Sequence, residues 1–150
     1  MKSRLKYFFY NCLCVILPHQ FYRLSVEALI WNEGKTKFLL LQEANGWWDI
    51  PGGGLDWGEA PEQGIVREVV EETGFEVLSV SQAPVCFTTA EHHRFNGWFA
   101  NVVFEVKVKS TETIQKSDEC VAIGWVTPEE AVAITPAFNS VHALGRALLK

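Results

Sequence analysis

A chain of 150 residues that is 48% hydrophobic, 13% aromatic and 21% charged has the size and make-up of one globular domain. That composition excludes a disordered, collagen-like or coiled-coil chain. A net charge of −5 argues against a nucleic-acid duplex as partner, because such affinity rests on Lys and Arg at phosphates. It still allows phosphates to be held through a divalent cation.

The chain opens with Lys2, Arg4 and Lys6, followed by an apolar run from Tyr7 to Leu17. No small-residue cleavage site follows, and the run falls short of the roughly 20 residues that span a bilayer. Residues 1–20 are therefore expected to be an extension that packs on the domain or on a second copy in a homodimer, not on a membrane. Residues 21–150 are expected to form the domain. Cys12, Cys14, Cys86 and Cys120 form no C-x-x-C pair, so no zinc site or redox motif is indicated. Reduced thiols in the cytoplasm are the simplest reading.

Leu24 to Trp31 reads as a strand, Asn32-Glu33-Gly34 as a turn and Lys37 to Gln42 as the returning strand of a hairpin. Glu43 to Trp48 reads as a loop that leads to Pro51 and three glycines, Gly52 to Gly54. Pro61 suits the first turn of a helix running to Thr73, with Gly74 placed to end it and Ala60 a weak N-cap. Strands are expected within Phe75 to Pro84, at Val85 to Thr89, at Trp98 to Val108 and at Val121 to Val126. Along Trp98 to Val108, Val102, Phe104, Val106 and Val108 share one face. Thr127 and Glu130 have the spacing of a reciprocal cap on a short helix, and Phe138 to Leu149 reads as a last helix. This order gives an α+β or mixed α/β layered domain.

The informative segment is the helix after the glycines. At 100° per residue Glu68, Glu71 and Glu72 fall in one narrow arc, at i, i+3 and i+4. Ile65, Val66, Val69 and Val70 fall opposite and are expected to pack on the sheet. Gly64, one turn before Glu68, leaves room on the carboxylate arc. Neighbouring like charges on a helix destabilise it by roughly a few tenths of a kcal/mol per pair. Arg67, four residues before Glu71, offsets part of that, and a hard divalent cation would offset more. Mg²⁺ takes oxygen ligands and accepts substrate phosphates. On this pattern alone a solvated acidic face is an equal alternative.

The wider spacing bears on that choice. Gly53, Glu59, Arg67, Glu68, Val69, Glu71, Glu72, Gly74 and Phe75 together resemble the Nudix box of the Nudix hydrolases at every defined position. The lead-in Trp48 to Gly53 and the late step Trp125 to Glu130 are similar to the family more loosely. The resemblance implies a mixed β-sheet sandwiched between α-helices, an α/β/α arrangement. It implies hydrolysis of a nucleoside diphosphate linked to another group, dependent on Mg²⁺ or Mn²⁺. Glu68, Glu71 and Glu72 match the metal-ligand positions, and Glu68 is the first candidate to activate water. Arg67 matches the arginine that orients these carboxylates and Glu59 a supporting glutamate. The Gly53 carbonyl is a further candidate ligand.

Some members take a base or ligand from outside the box, so Asp118 and Glu119 are candidates, with an exposed loop as the alternative. Arg94, beside His92 and His93, is a candidate for touching substrate, as is Arg23. Trp47, Trp48, Trp57 and Trp98 include candidates for stacking on a base, although most tryptophans serve the core. Extra signatures of the ADP-ribose, diadenosine-polyphosphate and NADH types are missing: Pro84 comes too early and no tyrosine follows Tyr22. The leading substrate is then a nucleoside triphosphate, standard or oxidised, cleaved to monophosphate and pyrophosphate. The alternative is a Nudix module that senses a nucleotide without turnover.

Overall fold

The computed structural model describes residues 22–91, 98–115, 117, 120–137 and 139–150. The extension at 1–20, His92, His93, Arg94, Asp118 and Glu119 lie outside the described residues.

Eight strands are described: β1 (Tyr22–Leu29), β2 (Phe38–Glu43), β3 (Trp48–Asp49), β4 (Gly52–Gly54), β5 (Val77–Val80), β6 (Cys86–Glu91), β7 (Trp98–Val108) and β8 (Cys120–Val126). The helices are α1 (Pro61–Thr73), α2 (Pro128–Ile134) and α3 (Ser140–Leu148). The larger sheet runs β4-β1-β7-β5, with β6 also paired to β7; the smaller runs β3-β2-β8. β1 and β7 are parallel from Tyr22↔Trp98 to Leu29↔Glu105, while β4, β5 and β6 pair antiparallel to their neighbours. The sheet is therefore mixed, as expected.

Alternation along β1 sets the layers. Val26 and Ala28 point to α1 and join Ile65 and Val69 in one apolar cluster. Leu29 points the other way, to Val103, Val141 and Leu144 of the α3 side. Helices thus cover both faces, giving the α/β/α sandwich.

The expected hairpin at residues 24–42 is corrected. Asn32 does build the turn, its side-chain oxygen accepting from the backbone N–H groups of Thr36 (2.9 Å) and Lys37 (3.1 Å). Its flanking strands part into different sheets and share one bridge, Trp31↔Phe38. Ser25 to Leu29 and Phe38 to Leu41 are buried whichever face they point to, so each strand is covered on both sides by its own sheet and layer. The glycine segment also does more than loop, since Gly52 to Gly54 pair with Glu27 to Ser25. A Cβ at Gly52 would strike the Val26 carbonyl, so this close approach requires glycine.

Helix α1 matches its expected bounds. Ala60 caps with no side chain; the Gln63 side chain accepts from the Ala60 N–H instead, at 3.1 Å. Gly74 ends the helix with φ 70° and returns its N–H to Val70. The expected sheet-facing side is half right. Ile65 and Val69 are buried, but Val66 and Val70 are 36% and 48% exposed. They sit one residue round the helix from the buried pair, past the edge of the contact with the sheet. Thr127 and Glu130 form the reciprocal cap of α2, at 3.2 Å and 2.8 Å.

Candidate active site

The site forms where α1 passes the glycine strand. Arg67 is its organiser. Its Nε and Nη2 donate to the two oxygens of Glu59, each at 2.9 Å, in a fork that matches carboxylate geometry. Its Nη1 donates to Glu68 Oε1 at 2.6 Å and lies 3.6 Å from Glu71. Nη2 also reaches the Gly54 carbonyl at 3.4 Å. One guanidinium therefore ties the loop before the helix, the helix and the glycine strand together.

Gly64 has a different role from the one its position on the carboxylate arc implies. A Cβ there would meet Leu55 and Glu59, so the vacancy seats the loop that carries Glu59 rather than admitting a ligand.

Gly53 faces Glu68 directly, and a Cβ at Gly53 would overlap the Glu68 carboxylate. One residue back, the Gly52 N–H donates to Glu72 Oε2 at 3.0 Å. The strand thus holds Glu72 by a backbone bond and packs closely against Glu68. Glu68 has 14% of its side chain exposed and Glu71 has 61%.

Charge follows burial. The bond from Arg67 holds Glu59 down at about 2 and itself raises the arginine above its usual value. Burial pushes Glu68 above the ordinary carboxylate range despite Arg67. Burial pushes Glu72 up to about 8, with the nearby charges of Glu68 and Asp49 adding to it. Buried acids beside one another are groups that a cation would stabilise in their charged form. Among the described residues, no three acidic, His or Cys side chains converge closely enough to grip a metal as placed. The reason is visible in the bonds: Arg67 draws Glu68 and Glu71 to itself, and Gly52 holds Glu72.

Sequence reasoning missed a second acidic layer behind this one. Glu27 is 5% exposed, although it sits in a strand that reads as apolar, and burial raises it well above its usual value. Asp49 is pushed up to about 6, again mainly by burial. Ser140, at the start of α3, donates to Asp49 at 3.0 Å and also bonds Glu27. The signal was there: Ser25 and Glu27 alternate with Leu24, Val26 and Ala28, which puts two polar groups on one face of a central strand.

A NUDIX domain family profile matches residues 21–144, and the chain belongs to this family. Gly53 to Phe75, the segment that resembles this family's box, runs through the site just described. A MutT-like protein of Streptomyces ambofaciens is 33% identical over 106 residues, spanning 71% of this chain and 64% of that protein. The chain therefore spans just under two thirds of that relative's length. The nucleoside triphosphatase NudI of Escherichia coli K12 is 29% identical over 123 residues, covering 73% of this chain and 85% of NudI. A solved MutT protein of Methanosarcina mazei superposes with a TM-score of 0.75 at 27% identity, over 89% of this chain and 97% of that one. No described helix is long and apolar enough to cross a membrane.

Proposed function

We propose that this chain hydrolyses a nucleoside triphosphate, standard or oxidised, to a nucleoside monophosphate and pyrophosphate, with Mg²⁺ or Mn²⁺ as cofactor. The observation that carries this reading is the three-way grip of Arg67 on Glu59, Glu68 and Gly54, which fixes carboxylates against a glycine strand. The likeness to a protein named nucleoside triphosphatase supports the substrate class.

Glu68, Glu71, Glu72 and the Gly53 carbonyl are the oxygen donors that would hold the cation, a hard set suited to Mg²⁺. Glu59 supports them by fixing Arg67. When bound, the cation neutralises the phosphates and eases deprotonation of the attacking water. Water oxygen bonds to phosphorus, the bridging P–O bond breaks, and pyrophosphate leaves. Glu68 takes the proton from water as the general base. Arg67 keeps that carboxylate oriented. The arrangement of four charged groups in this register favours turnover over a sensor that binds without cleaving.

Free thiols at Cys86 and Cys120 are consistent with a reducing compartment such as the cytoplasm. The apolar run at 7–17 is the segment we assign to contact with the domain or a second copy, and the mass in solution at micromolar concentration tests the latter.

The test is a product-resolved hydrolysis screen with Mg²⁺ and with Mn²⁺. It spans standard and oxidised triphosphates, nucleotide sugars, ADP-ribose and dinucleotides, alongside a Glu71→Gln, Glu72→Gln double variant. Triphosphates should give monophosphate and pyrophosphate, and the variant should lose at least about 100-fold in rate. Turnover confined to another class would replace the substrate. Nucleotide binding without turnover would favour the sensor.

A further inference from the structure

Helix α1 covers only part of its own face of the larger sheet. Ile65 and Val69 share one apolar cluster with Val26, Ala28, Phe104 and Val106, at one end of β1 and β7. The other end of that face is open. Tyr22 pairs with Trp98, Leu24 with Ala100 and on to Thr89, and Val26 with Val102 and on to Phe87. Directly paired residues point the same way, so these side chains lie on the Val26 face, beyond the helix. Leu24 is 43% exposed and Phe87 62%, with Tyr22 and Trp98 between them. The Tyr22 and Trp98 rings stand 6.3 Å apart between centroids.

None of these side chains is charged, and contiguous apolar surface of this kind is rarely left to water. The patch measures about 13 Å along β1 from Tyr22 to Val26 and about 10 Å across from β1 to β6. A second apolar surface adjoins it in the sequence. Residues 7–17 carry Asn11 as the one side chain that is neither aromatic, aliphatic nor cysteine. Only Pro18 to Phe21 separate that run from Tyr22, at the corner of the patch. A run of this length measures at least about 16 Å, even wound as tightly as an α-helix, so it can cross from Tyr22 to Phe87. The covalent link holds it near the patch at an effective concentration of about 1 mM, far above a second copy at micromolar concentration.

We propose that residues 7–17 dock on this open end of the α1 face, against Tyr22, Leu24, Phe87 and Trp98 of the same chain. This rests on the assignment of the run to an apolar contact. It names the surface and chooses the chain's own domain over a second copy. It is independent of the hydrolase reading, since none of these side chains belongs to the Arg67 and Glu68 site. Docking there braces β1, the strand whose Ser25 pairs with Gly54 of the glycine strand.

Cys12 and Cys14 lie in the run, so a cysteine placed on the patch reports contact through a disulfide. The experiment uses the full chain. Thr89→Cys, at an exposed position of the patch, is compared with Lys107→Cys, exposed on the other face of β7. Lys107 is about 30 Å along that strand from Trp98. Each variant is mildly oxidised, and mass spectrometry reads the intact mass and the bridged peptides. Thr89→Cys should bridge position 89 to Cys12 or Cys14 in most molecules, at the mass of one chain. Lys107→Cys should bridge to the run at least about tenfold less. Adding Leu13→Asp and Ile16→Asp should bring the bridge at 89 down to the Lys107→Cys level, since a tether without docking is left. The same two aspartates in the wild type should lower Tm by about 5 °C.

No bridge from position 89 to the run, or one that survives the two aspartates, overturns the proposal. So does a bridge found at the mass of two chains, which assigns the patch to a second copy. The Tm separates this surface from the broader assignment of the run. A Tm lowered by the aspartates with no bridge at 89 sinks the surface and leaves the run packed elsewhere. An unchanged Tm with no bridge sinks both.

Discussion

Arg67 grips Glu59 with two bonds of 2.9 Å and Glu68 with one of 2.6 Å, so a residue eight positions upstream and the next residue on the helix share one cation. Lysine cannot form that fork. Arg67→Lys should lower kcat about 10–100-fold with little change in KM, as loss of a group that orients metal-site carboxylates does. Steady-state kinetics beside a circular dichroism spectrum checks it. An unchanged kcat would remove Arg67 from the orienting role.

Gly53→Ala adds a methyl where Glu68 places its carboxylate. The carboxylate end is flexible, so the fold should survive while Glu68 is pushed from its place. The expected outcome is a loss of at least about tenfold in kcat with stability changed by less than about 1 kcal/mol. Denaturant unfolding and rate assays on the same sample separate the two.

Gly74→Ala should do the opposite. Gly74 holds φ 70° at the end of α1, and its Cβ would come within 2.9 Å of Gln115 Cβ. Stability should fall by about 1–2 kcal/mol, read as a lower denaturant midpoint at unchanged slope, with activity retained below the transition.

Asp49 ties stability to pH. Burial raises its pKa from 3.8 to about 6, so the folded state favours the protonated acid. Between those values the folded chain binds more protons than the unfolded chain, and stability falls as pH rises from about 4 to about 6. The group's contribution is about 1–2 kcal/mol after allowance for partial exposure. Asp49→Asn should flatten that part of the profile, measured by urea unfolding from pH 4 to pH 8. An unchanged slope would contradict this assignment.

Much of the site could be read before the structure. Arg67, Glu68, Glu71, Glu72, Glu59 and Gly53 fall together because local helix periodicity and one loop of fixed length bring them together. Helix α1, its Gly74 end and the Thr127–Glu130 cap were legible for the same reason, since each depends on residues within a few positions. What was not legible depends on partners far along the chain. The Asn32 turn was recognised, but nothing local says that β1 pairs with β7 instead of β2. Val66 and Val70 read as core, and the width of the sheet contact decides otherwise. Glu27, Asp49 and Ser140 meet from three separate segments, so their cluster appears in the fold alone.

The most direct test of the central claim is to identify the products from a nucleoside triphosphate mixed with the wild-type chain, first in EDTA and then with Mg²⁺ restored. The account predicts no products in EDTA, and nucleoside monophosphate with pyrophosphate in equal amounts once Mg²⁺ returns. Turnover that persists in EDTA, or release of orthophosphate in place of pyrophosphate, would contradict it.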